Sequence, residues 1–212
     1  MKINEMFLSI QGEGIQSGLP TFFIRTTGCN LRCSYCDTKY AYSQGREMNI
    51  DKILNQIQNQ PFKIVCLTGG EPLLQKDAKV LIRELVKNGY FVDIETNGSI
   101  DLRNFPKSKQ ILYSMDIKCP SSGFANKMLL DNLRYLTKND QVKFIVVDIK
   151  DYNFAKKIII EKKLINETNV IITPVGGVNC QWIVTKILKD GLNVRIGLQI
   201  HKVIFGPKKR GV

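Results

Sequence analysis

No apolar run in the 212 residues approaches the roughly 20 that a membrane helix needs, which excludes a helical membrane span. The opening stretch "MKINEMFLSIQGEG" lacks a long apolar core and a small-residue cleavage site. No secretory leader is therefore expected, and the cytoplasm is the default location. Internal repeats, low-complexity segments and Pro/Ser-rich linkers are also missing, so one domain spanning 1–212 is expected. Acidic residues are scarce, 19 against 31 basic ones, for a formal charge of +12. The excess is spread along the chain, mostly as helical lysines ("AKKIIIEKKL", 155–164), and reads as solvated surface rather than a nucleic-acid-binding face, despite the basic tail "GPKKRGV". Histidine is represented by His201 alone.

What is present is a concentration of thiols. "RTTGCNLRCSYCDT" (25–38) holds Cys29, Cys33 and Cys36 within eight residues, half of the six cysteines. In a reducing compartment these are not expected to be structural disulfides. Cys66 and Cys180 stand singly and read as small buried hydrophobes, and Cys119 is left unassigned. Four thiolates normally hold a [4Fe–4S] cluster, whereas three leave one iron open, the arrangement of a catalytic centre. The competing reading is zinc, completed by His201, Cys66 or Cys119, although no second close pair of ligands exists.

Hydrophobic periodicity predicts strands at 5–10, 21–26, 62–68, 91–96, 111–118, 142–147, 169–175 and 193–200. Helices are expected over 50–57, from an Asp77 N-cap to Gly89, and over 126–136, 152–163 and 180–189, with Gly191 as a stop. Alternation of this kind implies an α/β fold with a parallel sheet. A closed eight-fold barrel needs about 250 residues, so a partial, open TIM-like barrel of about six mostly parallel strands with outer helices is expected. Chemistry in such folds gathers where strands end. "TGGEP" (68–72), "ETNG" (95–98), "SMDIK" (114–118), "TPVGG" (173–177) and "QIHK" (199–202) would share that rim with the cysteine loop.

"CNLRCSYC" followed by "TGGEP" resembles the signature of the radical S-adenosylmethionine superfamily. That resemblance implies a [4Fe–4S] cluster held by Cys29, Cys33 and Cys36, with its open iron chelating S-adenosylmethionine. Reductive cleavage would then give a 5′-deoxyadenosyl radical that abstracts hydrogen, so no side chain is assigned as a catalytic group. Tyr35, Cys36, Asp37, Gly69, Gly70, Glu71, Ser114, Asp116 and Lys118 would contact S-adenosylmethionine, Tyr35 by the adenine and Gly69–Glu71 by the methionyl ammonium.

Within the superfamily, "SIQGEG" (9–14), Arg25, the "CDT" after Cys36 and "QIHK" resemble the 7-carboxy-7-deazaguanine synthase family. The resemblance implies conversion of 6-carboxy-5,6,7,8-tetrahydropterin to 7-carboxy-7-deazaguanine, with ring contraction and loss of ammonia. It also implies Mg²⁺, a homodimer and an external electron donor of flavodoxin-like type. Ile10, Gln11, Gly12, Glu13, Arg25, Thr68 and His201 would contact substrate, Arg25 and His201 at its carboxylate, and Thr38 would be a Mg²⁺ ligand. Some members end soon after the region corresponding to "QIHK", with a C-terminal residue at the substrate. Here "VIFGPKKRGV" (203–212) continues, so no substrate contact is carried to the tail, where Pro207 is the candidate. Two other readings stand beside this one: another radical enzyme, such as a glycyl-radical activase, and a basic zinc-containing nucleic-acid-binding module.

Overall fold

The computed structural model describes residues 1–206 and 210–211; Pro207 lies outside them. The strands are β1 (Lys2–Ile10), β2 (Pro20–Thr26), β3 (Arg46–Glu47), β4 (Ile64–Gly69), β5 (Phe91–Thr96), β6 (Ile111–Lys118), β7 (Gln141–Val146), β8 (Asn169–Pro174) and β9 (Arg195–Ile196). The helices are α1 (Ile50–Ile57), α2 (Ala78–Lys87), α3 (Ile149–Glu161), α4 (Leu164–Glu167), α5 (Gln181–Asp190) and α6 (Ile200–Phe205).

All nine strands form one sheet in the order β3-β1-β2-β4-β5-β6-β7-β8-β9. β1 pairs antiparallel with β2 and β3, and every later pairing from β2 to β9 is parallel. Six strands of full length therefore make the parallel run, and β3 and β9 remain as separate edges. This is the open, partial barrel that the alternation predicts. Parallel pairing requires a crossover between strands, and the α2 and α3 stripes supply apolar faces for it. Leu81, Ile82 and Leu85 of α2, and Ala155, Ile158 and Ile159 of α3, are buried against the sheet core of Val65, Leu67, Val92, Ile94 and Phe144.

Three local expectations are corrected. The segment 126–136 folds as short 3₁₀ turns (Ala125–Lys127 and Leu130–Tyr135), not as a helix. Asn132 explains this: buried within the segment, it donates to the carbonyls of Gly98 and Ile100 and accepts from Leu102 N, tying the chain to the loop after β5. The strand expected over 193–200 shrinks to Arg195–Ile196, and "QIHK" opens α6 instead, because Ile200 N donates to Gly12 O at 3.0 Å. Asp77 occupies the N-cap position of α2 without capping it; its carboxylate lies 3.6 Å from the N-terminal ammonium of Met1. Among the described residues no helix is long and apolar enough to cross a membrane.

Candidate active site

A cavity of about 430 Å³ opens at the C-terminal ends of the parallel strands, within the usual range of small-molecule sites. Its wall includes the cysteine loop, which runs irregularly from β2 to the first turn after Thr38. All three thiols are free and partly exposed. Burial pushes the Cys33 thiol up, and Lys118 draws it part of the way back. Leu31 N and Asn97 Nδ2 both donate to Cys29 Sγ, at 3.4 and 3.7 Å. All three thiols line the cavity, and among the described residues no group of three His, Cys, Asp or Glu forms a ready site for a single metal ion. A donor set of three thiols along one loop fits a polynuclear cluster.

The "TGGEP" turn is packed directly beneath this loop. A Cβ on Gly70 would lie 2.2 Å from Gly28 O and 2.9 Å from Cys29 Cβ, so only glycine permits the approach. Glu71 N donates to Gly28 O at 2.7 Å and Gly70 N to Thr26 O at 3.3 Å. Glu71 itself is fully buried behind the wall. Its Oε1 accepts from Leu73 N and Thr96 Oγ1, both at 3.0 Å, and its Oε2 from Asn97 N at 2.6 Å. Burial pushes this carboxyl up to about 7, against those donors. Ser114 is likewise buried and accepts from Gln141 Nε2 at 2.7 Å. These two are the predicted site residues that the fold does not bring to the cavity surface.

The others all line it: Ile10, Gln11, Gly12 and Glu13 from the loop after β1, Arg25 from β2, and Tyr35, Cys36, Asp37 and Thr38 from the cysteine loop, with Cys29 and Cys33. Thr68, Gly69 and Gly70 come from β4 and its turn, Asp116 and Lys118 from β6, and His201 from α6. Lys118 Nζ is 2.6 Å from Asp116 Oδ2. Burial alone would raise the Asp116 carboxyl, but Lys118 and Lys143 hold it below the usual carboxylate range. The Tyr35 hydroxyl is buried without a partner, an orphan suited to a ligand's polar group.

On the other part of the wall, Arg25 Nε donates to Glu5 Oε1 at 2.7 Å, and its guanidinium lies 5.8 Å from both the Phe7 and Tyr40 rings. Gly12 abuts His201, whose Nδ1 would be 1.9 Å from an added Cβ. Burial lowers the His201 imidazole below the ordinary histidine value, which favours its neutral form. Gln11 Nε2 donates to Asp93 Oδ2 at 2.6 Å. Thr38 Oγ1 donates to Asp37 Oδ1 at 3.0 Å, and Asp37 Oδ2 receives Lys202 Nζ at 2.9 Å.

Residue-by-residue reading placed Glu95, Gln199 and Lys202 on the rim within "ETNG" and "QIHK" without giving them a role, and it missed Lys143. Lys143 Nζ lies 2.5 Å from Glu95 Oε2, 3.2 Å from Glu13 Oε2 and 3.7 Å from Asp116 Oδ1. Burial pushes the Glu95 carboxyl up while the neighbouring Lys143 ammonium restrains the rise. Burial also works against the Lys143 ammonium, yet Glu95, Glu13 and Asp116 hold it well above the usual lysine range. The one available signal was a lysine inside an apolar strand, "VKFIVV".

The sheet, the thiol loop and the glycine turn define a radical S-adenosylmethionine enzyme, and the Radical SAM superfamily model matches residues 23–160. Membership implies the [4Fe–4S] cluster and S-adenosylmethionine. The 7-carboxy-7-deazaguanine synthase of Thermoplasma acidophilum is 42% identical over 206 residues, covering 97% of this chain and 98% of its own. That of Methanospirillum hungatei is 45% identical, covering 98% and 86%. Among solved structures, QueE from Escherichia coli superposes with a TM-score of 0.74 at 22% identity, covering 93% of each chain. Streptococcus suis SuiB bound to S-adenosylmethionine shares the fold more distantly, with a TM-score of 0.57 at 14% identity over 81% of this chain and 48% of its own. The chain belongs to the 7-carboxy-7-deazaguanine synthase family.

Proposed function

We propose that the chain converts 6-carboxy-5,6,7,8-tetrahydropterin to 7-carboxy-7-deazaguanine, contracting the ring and releasing ammonia, as a step in queuosine or other 7-deazapurine biosynthesis. One observation carries this reading: the thiol loop, the glycine turn and the group Gln11, Glu13, Arg25 and His201 border a single cavity. A glycyl-radical activase is not favoured, because relatives over nearly the full length carry the synthase name.

In this reading Cys29, Cys33 and Cys36 hold the cluster. Tyr35, Asp37, Gly69, Gly70, Asp116 and Lys118 seat S-adenosylmethionine, while Glu71 and Ser114 support the wall from behind. When bound, these cofactors supply the hydrogen-abstracting radical. The chain's own residues bind and orient the substrate. Arg25, with Nε taken by Glu5, keeps its two terminal nitrogens for the substrate carboxylate. Neutral His201 offers a hydrogen bond there rather than a second charge. Ile10, Gln11, Gly12, Glu13 and Thr68 meet the heterocycle, whose edges alternate donors and acceptors. Thr38 would complete a Mg²⁺ site made largely by substrate oxygen and water, as suits that hard ion, since no ready-made cage of acidic or thiol ligands occurs among the described residues. A homodimer, the whole of 1–212 as one domain, a cytoplasmic setting and a flavodoxin-like donor complete the proposal.

The test is anaerobic incubation of the reconstituted enzyme with the carboxytetrahydropterin, S-adenosylmethionine, reductant and Mg²⁺. Ammonia and the deazaguanine acid are expected, with S-adenosylmethionine regenerated rather than consumed. No conversion overturns the substrate assignment while leaving family membership intact. Turnover unchanged by Mg²⁺ removal overturns the role of Thr38, and obligatory consumption of one S-adenosylmethionine per product overturns its regeneration.

A further inference from the structure

Beneath the substrate-type residues lies one ammonium shared by three carboxylates from three different elements. Lys143 is 3% exposed and sits on β7, whose other face (Val142, Phe144, Val146) is wholly apolar core. An aliphatic residue would serve packing equally well, and burying an ammonium is costly unless it is paired. Here it is paired with Glu95 of β5, Glu13 of the loop after β1 and, more distantly, Asp116 of β6. Asp116 already has Lys118 at 2.6 Å, so Lys143 is the cation in contact with the other two. Both of those side chains remain partly open to the cavity, at 23% and 18% exposure. Glu13 is fixed from its other oxygen by Gln199 Nε2 at 2.6 Å. The other titratable groups facing this cluster are Asp93 on β5 and His201 on α6, and Lys202 of α6 reaches Gln199 Oε1 at 2.6 Å.

We propose that Lys143 is the positioning residue of the substrate subsite, holding Glu13 and Glu95 in place as hydrogen-bond acceptors for the N–H-rich edge of the pterin. A carboxylate offers about four acceptor sites, so the contacts to Lys143 and Gln199 leave capacity for substrate on both. The proposal deepens the substrate reading above and rests on it. Burial favours the protonated form of the Glu95 carboxyl and the ammonium opposes that. Without the ammonium, Glu95 would keep its proton to higher pH and present a donor where the substrate also has donors.

The experiment compares wild type with Lys143→Met as cluster-loaded enzyme, measuring equilibrium binding of 6-carboxytetrahydropterin and of S-adenosylmethionine from pH 6.5 to 9.5. The pterin Kd of the variant is expected to rise at least tenfold at pH 7 and to recover toward wild type as pH rises. S-adenosylmethionine affinity should stay within twofold, because Asp116 keeps Lys118. Lys143→Gln, which retains a donor, replaces the methionine variant if that one fails to fold, and Lys143→Arg should restore binding at pH 7. A pterin Kd within twofold of wild type throughout overturns the proposal. So does a loss that is independent of pH, or one shared by S-adenosylmethionine, since either marks a structural role only. Wild-type enzyme that neither binds nor converts the pterin overturns the substrate reading and this proposal with it.

Discussion

The two walls of the cavity are built in opposite ways. The cluster wall is one continuous loop, 27–38, with little regular structure, braced from below by the glycine turn and Glu71. The opposite wall draws single residues from the loop after β1, from β5, β6 and β7 and from α6, joined by charge: Lys143 to Glu95 and Glu13, Glu13 to Gln199, Gln199 to Lys202 and Lys202 to Asp37. A contiguous loop concentrates its chemistry in a local motif and leaves its stability to what lies underneath. A wall made from five elements instead depends on buried charges that come from distant points of the chain.

That contrast is sharpest at the cysteines. Cys33→Ala should abolish cluster loading and turnover, seen as loss of iron and acid-labile sulfide, while cluster-free stability changes by about 1 kcal/mol or less because the thiol is half-exposed. A large loss of cluster-free stability would show that the loop is part of the folding core.

The support beneath the loop should behave in the reverse manner. Glu71→Ala leaves three donors facing a buried gap, each costing about 1–3 kcal/mol, so a loss of roughly 3 kcal/mol or more is expected in urea unfolding. Glu71 also links stability to pH. Its carboxyl is near 7 in the folded chain and 4.5 when unfolded, so the native state binds the extra proton between those values. Its contribution is fully present below about pH 4.5 and is lost as pH rises through 7, by about 3 kcal/mol at most. Glu71→Gln should lack that part of the slope. An unchanged slope would assign the pH dependence elsewhere.

Gly70→Ala forces Gly28 or Cys29 to move, a strain of about 1–3 kcal/mol. Weaker iron retention should accompany it, measured by iron content after gel filtration. Full retention would mean that the two loops are not mechanically coupled.

The smallest effect belongs to the outer end of the charged chain. Lys202→Ala breaks a contact to Asp37, whose side chain is 57% exposed, and should cost about 1 kcal/mol or less. A much larger loss, by thermal unfolding, would show that α6 is a principal brace of the site rather than its cover.

Strand positions were legible wherever burial on both faces produced an apolar run, and β5 and β6 match their expected bounds to the residue. Regularity failed where a single polar group, side chain or backbone, found a distant partner. Asn132 turned an expected helix into 3₁₀ turns, and the contact between Gly12 and Ile200 turned the end of an expected strand into α6. Site residues in local motifs, such as Cys29 to Thr38 and Thr68 to Gly70, were legible for the same reason that their loops are contiguous. Lys143 was not, and Glu95 was placed on the rim only as part of "ETNG". Nothing in "FVDIET" or "VKFIVV" states which neighbour will answer either charge.

The sequence by itself determined the chemistry: three thiols on one loop, a glycine turn to support them, and the alternation of strands and helices that sets both on one rim. Those depend on interactions a few residues long and on periodicity. Tertiary structure alone decided which charges meet, because parallel register across β5, β6 and β7 brings Glu95, Asp116 and Lys143 together from 48 positions of chain separation. It also placed Glu71 and Ser114 behind the wall and His201 against Gly12. Coulomb interaction in a buried cavity depends on distance and solvent exclusion, and neither quantity exists until the strands have paired.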